Sequence, residues 1–301
     1  MNEVLDKLFL RLITVILIGA LLFLYRYAHA LLYPHPTLHF SRRLVPTDNY
    51  VDSIHFFGRI IGIALALSAV VFNDQIGILE NILKIGLWSV LIIFIYLLSV
   101  FLLESMVMFN FTYEDEITKR SNLAYAFITF NHSVGIGILI KSLVNISGYS
   151  ALPLLILSLY LLFILGSSSK MYRLVSKLPF NKLLIQKNLG MSLSYSGFFW
   201  GIIMILLTSI NQEENDILIF CIFILLKVLL GFILFPIIKT IMLFILKLSQ
   251  EETNHIGNIQ KPDNNLIGLG IYEGGLYFAA ALITSIIIGK FGSGTIFPFF
   301  A

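Results

Sequence analysis

Apolar residues run along this chain in long stretches, separated by short polar connections. Leu87–Leu103 holds no charged residue, and Ile217–Phe235 holds one, Lys227. Runs near 20 apolar residues match the hydrocarbon core of a bilayer, whereas a soluble core helix needs a polar face. The pattern predicts helices at 8–33, 54–73, 83–109, 122–144, 148–166, 188–210, 216–247 and 265–289. The expected fold is an all-α integral membrane protein of about eight transmembrane helices. The polar connections are 34–52 (the first), 73–75 (the second), 112–120 (the third), 167–181 (the fifth), 211–215 (the sixth) and 249–264 (the seventh). The first contains Pro34, Pro36 and Pro46, so irregular backbone is expected there.

Composition agrees with this reading. The chain is 58% hydrophobic and 12% charged, against roughly 25% charged for a soluble domain. The single cysteine, Cys221, lies inside an apolar run, which excludes a disulfide framework or a cysteine zinc site. The net charge of +3 is small and its lysines and arginines are dispersed, which argues against nucleic acid as a partner and for the lipid bilayer.

Ala28-His29-Ala30 resembles a cleavage site, but Glu3 and Asp6 lead the segment and its apolar stretch is long for a signal peptide. A first membrane helix is the expectation. Connections one, three, five and seven carry the basic residues, among them Arg42, Arg43, Lys119, Arg120, Lys170, Arg173, Lys247 and Lys261. The sixth is acidic, with Glu213, Glu214 and Asp216. The positive-inside rule then puts the odd connections in the cytoplasm and both termini outside.

The two halves share landmarks. Asn49, Ser53, Gly58 and Gly62 recur as Asn188, Ser192, Gly197 and Gly201, 139 residues on (Asn49 to Asn188). Asn122-Leu opens the fourth helix and Asn265-Leu the eighth, 143 residues on (Asn122 to Asn265). Two registered landmarks in one helix order predict tandem four-helix repeats at 1–147 and 148–301. An even number of helices per copy makes the repeats parallel, related by an axis along the membrane normal.

The Asn-led helix Asn188 to Ser196-Gly197-Phe-Phe-Trp-Gly201, followed by the glycine-rich helix from Asn265 to Gly274-Gly275, resembles the YjfL-type bacterial inner-membrane family. That family is catalogued as domain of unknown function 350, and the resemblance covers nearly the whole chain as two copies. It implies a bacterial inner-membrane location and an envelope or membrane-stress role. It implies no catalytic residues.

The pairs Gly58/Gly62 and Gly197/Gly201 lie four residues apart on matching helices, the spacing that lets helix backbones approach; packing is expected, with a gate or hinge as the alternative. Ionisable residues inside the span are costly and therefore informative. Arg59 and Glu273 each lie about eight residues into their helices, ~12 Å deep, and Lys227 about ten residues into its own, ~15 Å. The expectation is that Glu273 pairs with Arg59 or with Lys227, either as a structural pair or as part of an ion or proton pathway. Asn131 and His132, with Ser133 and His55, form a further polar site that buried side chains could satisfy mutually or use as a relay. His29, His35 and His39 are interrupted by prolines and make a poor metal site, so no metal and no cofactor is expected.

No hydrolase, metalloprotease or nucleotide-loop motif is present, so the expected function is not enzymatic. Two readings follow: an envelope or stress component acting with partners (a second copy or other membrane proteins), and an ion or small-solute channel or transporter with a pathway at the repeat interface.

Overall fold

The computed structural model describes residues 2–32, 50–71, 77–211, 216–246 and 265–290, and every element among them is helical. In chain order these are α1 (Asn2–Leu32), α2 (Tyr50–Leu67), α3 (Ile78–Val107), a π-helical turn (Glu114–Lys119), α4 (Leu123–Ile146) and α5 (Ala151–Lys170). They continue with α6 (Tyr172–Ser176), α7 (Phe180–Ile185), α8 (Leu189–Ile210), α9 (Ile217–Ile245) and α10 (Asn265–Gly289). Among the described residues seven helices are long and apolar enough to cross a membrane; α1 adds a shorter apolar stretch, Arg11–Phe23. The protein is an all-α membrane protein.

The exposed side of α9 shows why lipid must surround it. Ile222, Leu225, Leu229, Ile233, Ile237 and Ile241 recur every three or four residues and are all exposed, a stripe that water would penalise and acyl chains accommodate. The opposite face, Phe220, Phe223, Ile224, Lys227, Val228, Gly231 and Phe235, is buried.

Two connections hold more order than a polar loop requires. The π-turn occupies the third connection, and α5 continues through Lys170 into α6 and α7 in the fifth. Both lead into an asparagine in one way. Ser121 and Lys187 adopt left-handed backbone (φ 48° and 58°), and the next amide, of Asn122 or Asn188, reaches back to the carbonyl of Glu116 (2.7 Å) or Leu183 (3.0 Å). Asn188 then caps α8, its side chain accepting from the Met191 amide at 2.9 Å. Asn122 instead donates to the buried carboxylate of Glu116 at 2.6 Å, which also accepts from Arg120. Asn265 is the first residue of α10, and Asn49 lies outside the described residues. Removing the cap with Asn188→Ala should destabilise the protein by about 1 kcal/mol, read as a lower melting temperature in detergent. An unchanged melt would mean that the cap contributes nothing to α8.

The chain packs as two units. Unit one comprises Met1–Ser105, Phe109–Asn122 and His132–Ser158; unit two comprises Met106–Met108, Leu123–Asn131 and Leu159–Ala301. Helix α4 is thus divided between Asn131 and His132.

In unit one α2 lies against α3 and α4. A Cβ on Gly62 would collide with the Tyr96 side chain and the Ser133 carbonyl, and one on Gly137 would enter the backbone of Gly62. Gly58, one turn before Gly62, is also buried. In unit two α8 and α10 touch backbone to backbone. Gly270 meets the backbone of Gly190, Gly197 meets that of Gly274, and a Cβ on Gly201 would come 2.7 Å from the methyl of Ala281. Gly231 of α9 admits Ile205 and Ile288, each 3.0 Å from where its Cβ would stand. Without a hydrophobic drive between helices, such close approach supplies the dispersion contacts that hold them together.

Candidate functional site

Two centres in the spans combine a buried charge with polar partners, one in each unit. In unit one Arg59 is fully buried on α2. Its Nη2 donates to both oxygens of Glu104 on α3, each at 2.7 Å, and its Nη1 donates to Ser133 Oγ of α4 at 2.6 Å. Glu104 is 14% exposed, so the pair is almost entirely out of contact with the surroundings. His55, one turn before Arg59, places Nε2 3.4 Å from the same guanidinium nitrogen. The His55 ring lies 5.0 Å from that of Tyr113, whose hydroxyl donates to Asp52 at 2.6 Å. Polar groups therefore run from Asp52, in the first turn of α2, to the Arg59–Glu104 pair. His132 is also buried.

In unit two the centre is Glu273 of α10, 3% exposed. One oxygen accepts from Ser194 Oγ of α8 at 2.7 Å, the other from the Tyr277 hydroxyl one turn along α10 at 3.0 Å. Ser194 in turn accepts from Tyr172 of α6 at 2.8 Å, which gives a directed chain from phenol to hydroxyl to carboxylate. The rings of Tyr172, Phe198, Phe235 and Tyr277 surround it, with centroid separations of 5.5 to 6.2 Å. Lys239 of α9 places its ammonium 4.1 Å from the Tyr277 ring centroid.

Within unit two Glu273 does not pair with Lys227, and the partner of Arg59 lies in its own unit. Arg59 takes its carboxylate from Glu104, and Glu273 is held by hydroxyls with Lys239 as its neighbouring cation. Lys227 is 2% exposed on the buried face of α9 and pairs with no carboxylate among the described residues. The reason is reach. Glu104 stands one turn from the end of α3 and Lys239 two turns from the end of α9, positions that read as interfacial in sequence.

Asn131 also finds its partners in unit two. Its amide donates to Ser196 Oγ at 3.0 Å and to the Phe127 carbonyl at 2.6 Å, and its oxygen accepts from Trp200 Nε1 at 2.7 Å. All of its hydrogen-bonding directions but one are used, which makes it a fastener between α4 and α8 rather than a relay. His29, His35 and His39 lie outside the described side chains. Among the described residues no three His, Cys, Asp or Glu side chains could hold a metal ion. Outside the spans, Lys119 donates to Asp115 at 2.9 Å and holds that carboxyl below its ordinary pKa.

A family described as Domain of Unknown Function (DUF350) matches residues 4–144 and again 146–288. The chain is a tandem DUF350 protein. No curated protein and no solved structure matches it.

The two DUF350 copies place polar groups in register but use them differently. His55 of the first copy corresponds to Ser194 of the second in the 139-residue register, and both point into their centres. Arg59 corresponds to Phe198, one of the rings beside Glu273's partner Tyr277. In both copies the third helix supplies the opposite charge, Glu104 in one and Lys239 in the other. In the two registers Lys239 aligns with Val100 or Tyr96, which are one and two turns from Glu104 and on the same helix face. That recurrence, an ionisable residue of opposite sign near the end of each third helix, was the available sequence signal for both missed partners. Tyr172 and Tyr277 carried none, because aromatic residues are abundant throughout the chain.

Proposed function

We propose that this DUF350 protein handles protons or small cations in the membrane, with Glu273 as the group that takes up and releases them. The observation that supports this reading is the contrast between the two buried carboxylates. Glu104 is locked to a guanidinium, so neutralising it would strand Arg59 without a counter-charge. Glu273 has hydroxyl partners only, and a hydroxyl can donate to the carboxylate or accept from the carboxylic acid. Its protonation can therefore change while its hydrogen bonds reorganise rather than break. The centre of the first copy is then structural and that of the second is the working one. The location we propose is the bacterial inner membrane, with the basic connections in the cytoplasm.

Purified protein in liposomes, with pH-sensitive and cation-sensitive dyes inside, tests this. Wild-type protein should dissipate an imposed proton or cation gradient at a rate that Glu273→Gln reduces at least tenfold. No flux under either gradient would overturn the reading. It would leave the role implied by the YjfL-type resemblance, an envelope or stress component acting through partners, to be pursued by pull-down from membranes.

A further inference from the structure

The cation of the second centre does not sit where an ordinary ion pair would put it. Lys239 lies over the face of Tyr277, 4.1 Å from the ring centroid, and makes no ion pair within 4 Å of Glu273. An ammonium over an aromatic face, with a buried carboxylate in the same cluster, is the arrangement by which proteins recognise organic ammonium ions. Tyr277 also stacks on Phe235 at 5.9 Å and meets Phe198 edge-on at 5.5 Å, so the recognising face is fixed by its neighbours. The net charge of the carboxylate is not cancelled by direct contact, which keeps the centre attractive to a cation.

The turn carrying the lysine has a weakened backbone ladder. Pro236 lies inside α9, less than one turn before Lys239, and has no amide to donate to the carbonyl four residues earlier. The Thr240 hydroxyl back-bonds to the Pro236 carbonyl at 2.8 Å, a further perturbation of the same turn. Lys239 is only half-buried and stands ~9 Å from the end of α9, within reach of the membrane surface.

We infer that the Glu273–Tyr277 centre is a binding site for a small organic ammonium ion, and that Lys239 is a tethered occupant that exchanges with it. The cation can be a soluble alkylamine or the ammonium headgroup of a lipid, since both present the same group. The inference concerns binding and stands whether or not ions cross the membrane.

Removing the tether should leave a site that an added cation refills. In maltoside detergent Lys239→Ala should melt below wild type, and ethylammonium chloride should raise its melting temperature by roughly 3–6 °C over equimolar sodium chloride at about tenfold its dissociation constant. Lys239→Ala combined with Glu273→Gln should lose that response. Reconstituting Lys239→Ala in nanodiscs separates the sources. Stabilisation by phosphatidylethanolamine over phosphatidylglycerol without added amine identifies the headgroup, and stabilisation only by ethylammonium identifies the soluble ion. Equal responses to sodium and ethylammonium, together with no lipid effect, would overturn the inference. If Lys239→Ala does not fold, the wild-type protein answers the question through acetylation of Lys239 by a succinimidyl ester, normalised to the exposed Lys170. Tetramethylammonium, which does not consume the reagent, should raise that ratio severalfold over sodium; an unchanged ratio would overturn the inference.

Discussion

Arg59→Met should destabilise the protein by about 3–5 kcal/mol, the cost of removing one member of a buried ion pair. The loss is not mainly that of the hydrogen bonds. Glu104 would remain, 14% exposed, facing the space the guanidinium had filled, and Ser133 would lose its donor. Glu104→Gln should cost less, because glutamine can still accept from Arg59 while the cation goes uncompensated. Replacing both residues by methionine should recover much of the loss, since a packed apolar pair often matches a buried ionic one. The measurement is a double-mutant cycle on thermal melting in detergent, with flux in liposomes alongside. Strict additivity would show that the two charges do not support each other. Flux surviving in the double variant would confirm that the first centre is structural, and its loss would move the working site to unit one.

The second large effect lies where two backbones meet. Gly197→Ala should destabilise by about 3 kcal/mol, at the upper end for overpacking, and Gly197→Leu should prevent folding. The obstacle is the backbone of Gly274, which cannot step aside as the end of a flexible side chain would. Gly275→Ala is the matched control. Its Cβ would meet nothing within 4 Å, so the change should be neutral or stabilising by up to about 1 kcal/mol through helix propensity. A Gly197→Ala protein that melts like wild type would mean α8 and α10 are not held at this distance.

Helix order was legible because bilayer thickness imposes a length on each apolar run that few other constraints can mimic. Helix α8, expected at 188–210, spans Leu189–Ile210 with Asn188 as its cap. The glycines facing the α8–α10 contact were legible for a similar reason, since close approach admits few residue types. The charge pairs were not. Depth counted from the start of each helix assumes that all helices enter the membrane at one plane. Helix α3 has 30 residues, ~45 Å of helix against a hydrocarbon core of ~30 Å, so a residue at its end can meet one well inside α2. Glu104 and Arg59 do so. A helix of 18 residues such as α2, ~27 Å long, allows no such slack. Glu273 is a buried carboxylate inside an apolar run, but its partners are hydroxyls whose side chains could equally have faced lipid.

Asn131 belongs by sequence to the first copy and by packing to the second unit, where it answers Ser196 and Trp200. Gene duplication here did not string two finished bodies on a thread. A cut in the short link between α4 and α5 would send the amide away with the wrong fragment and leave the indole of Trp200 with a donor and no acceptor. An amide from the first copy thus completes the hydrogen bonding of the second.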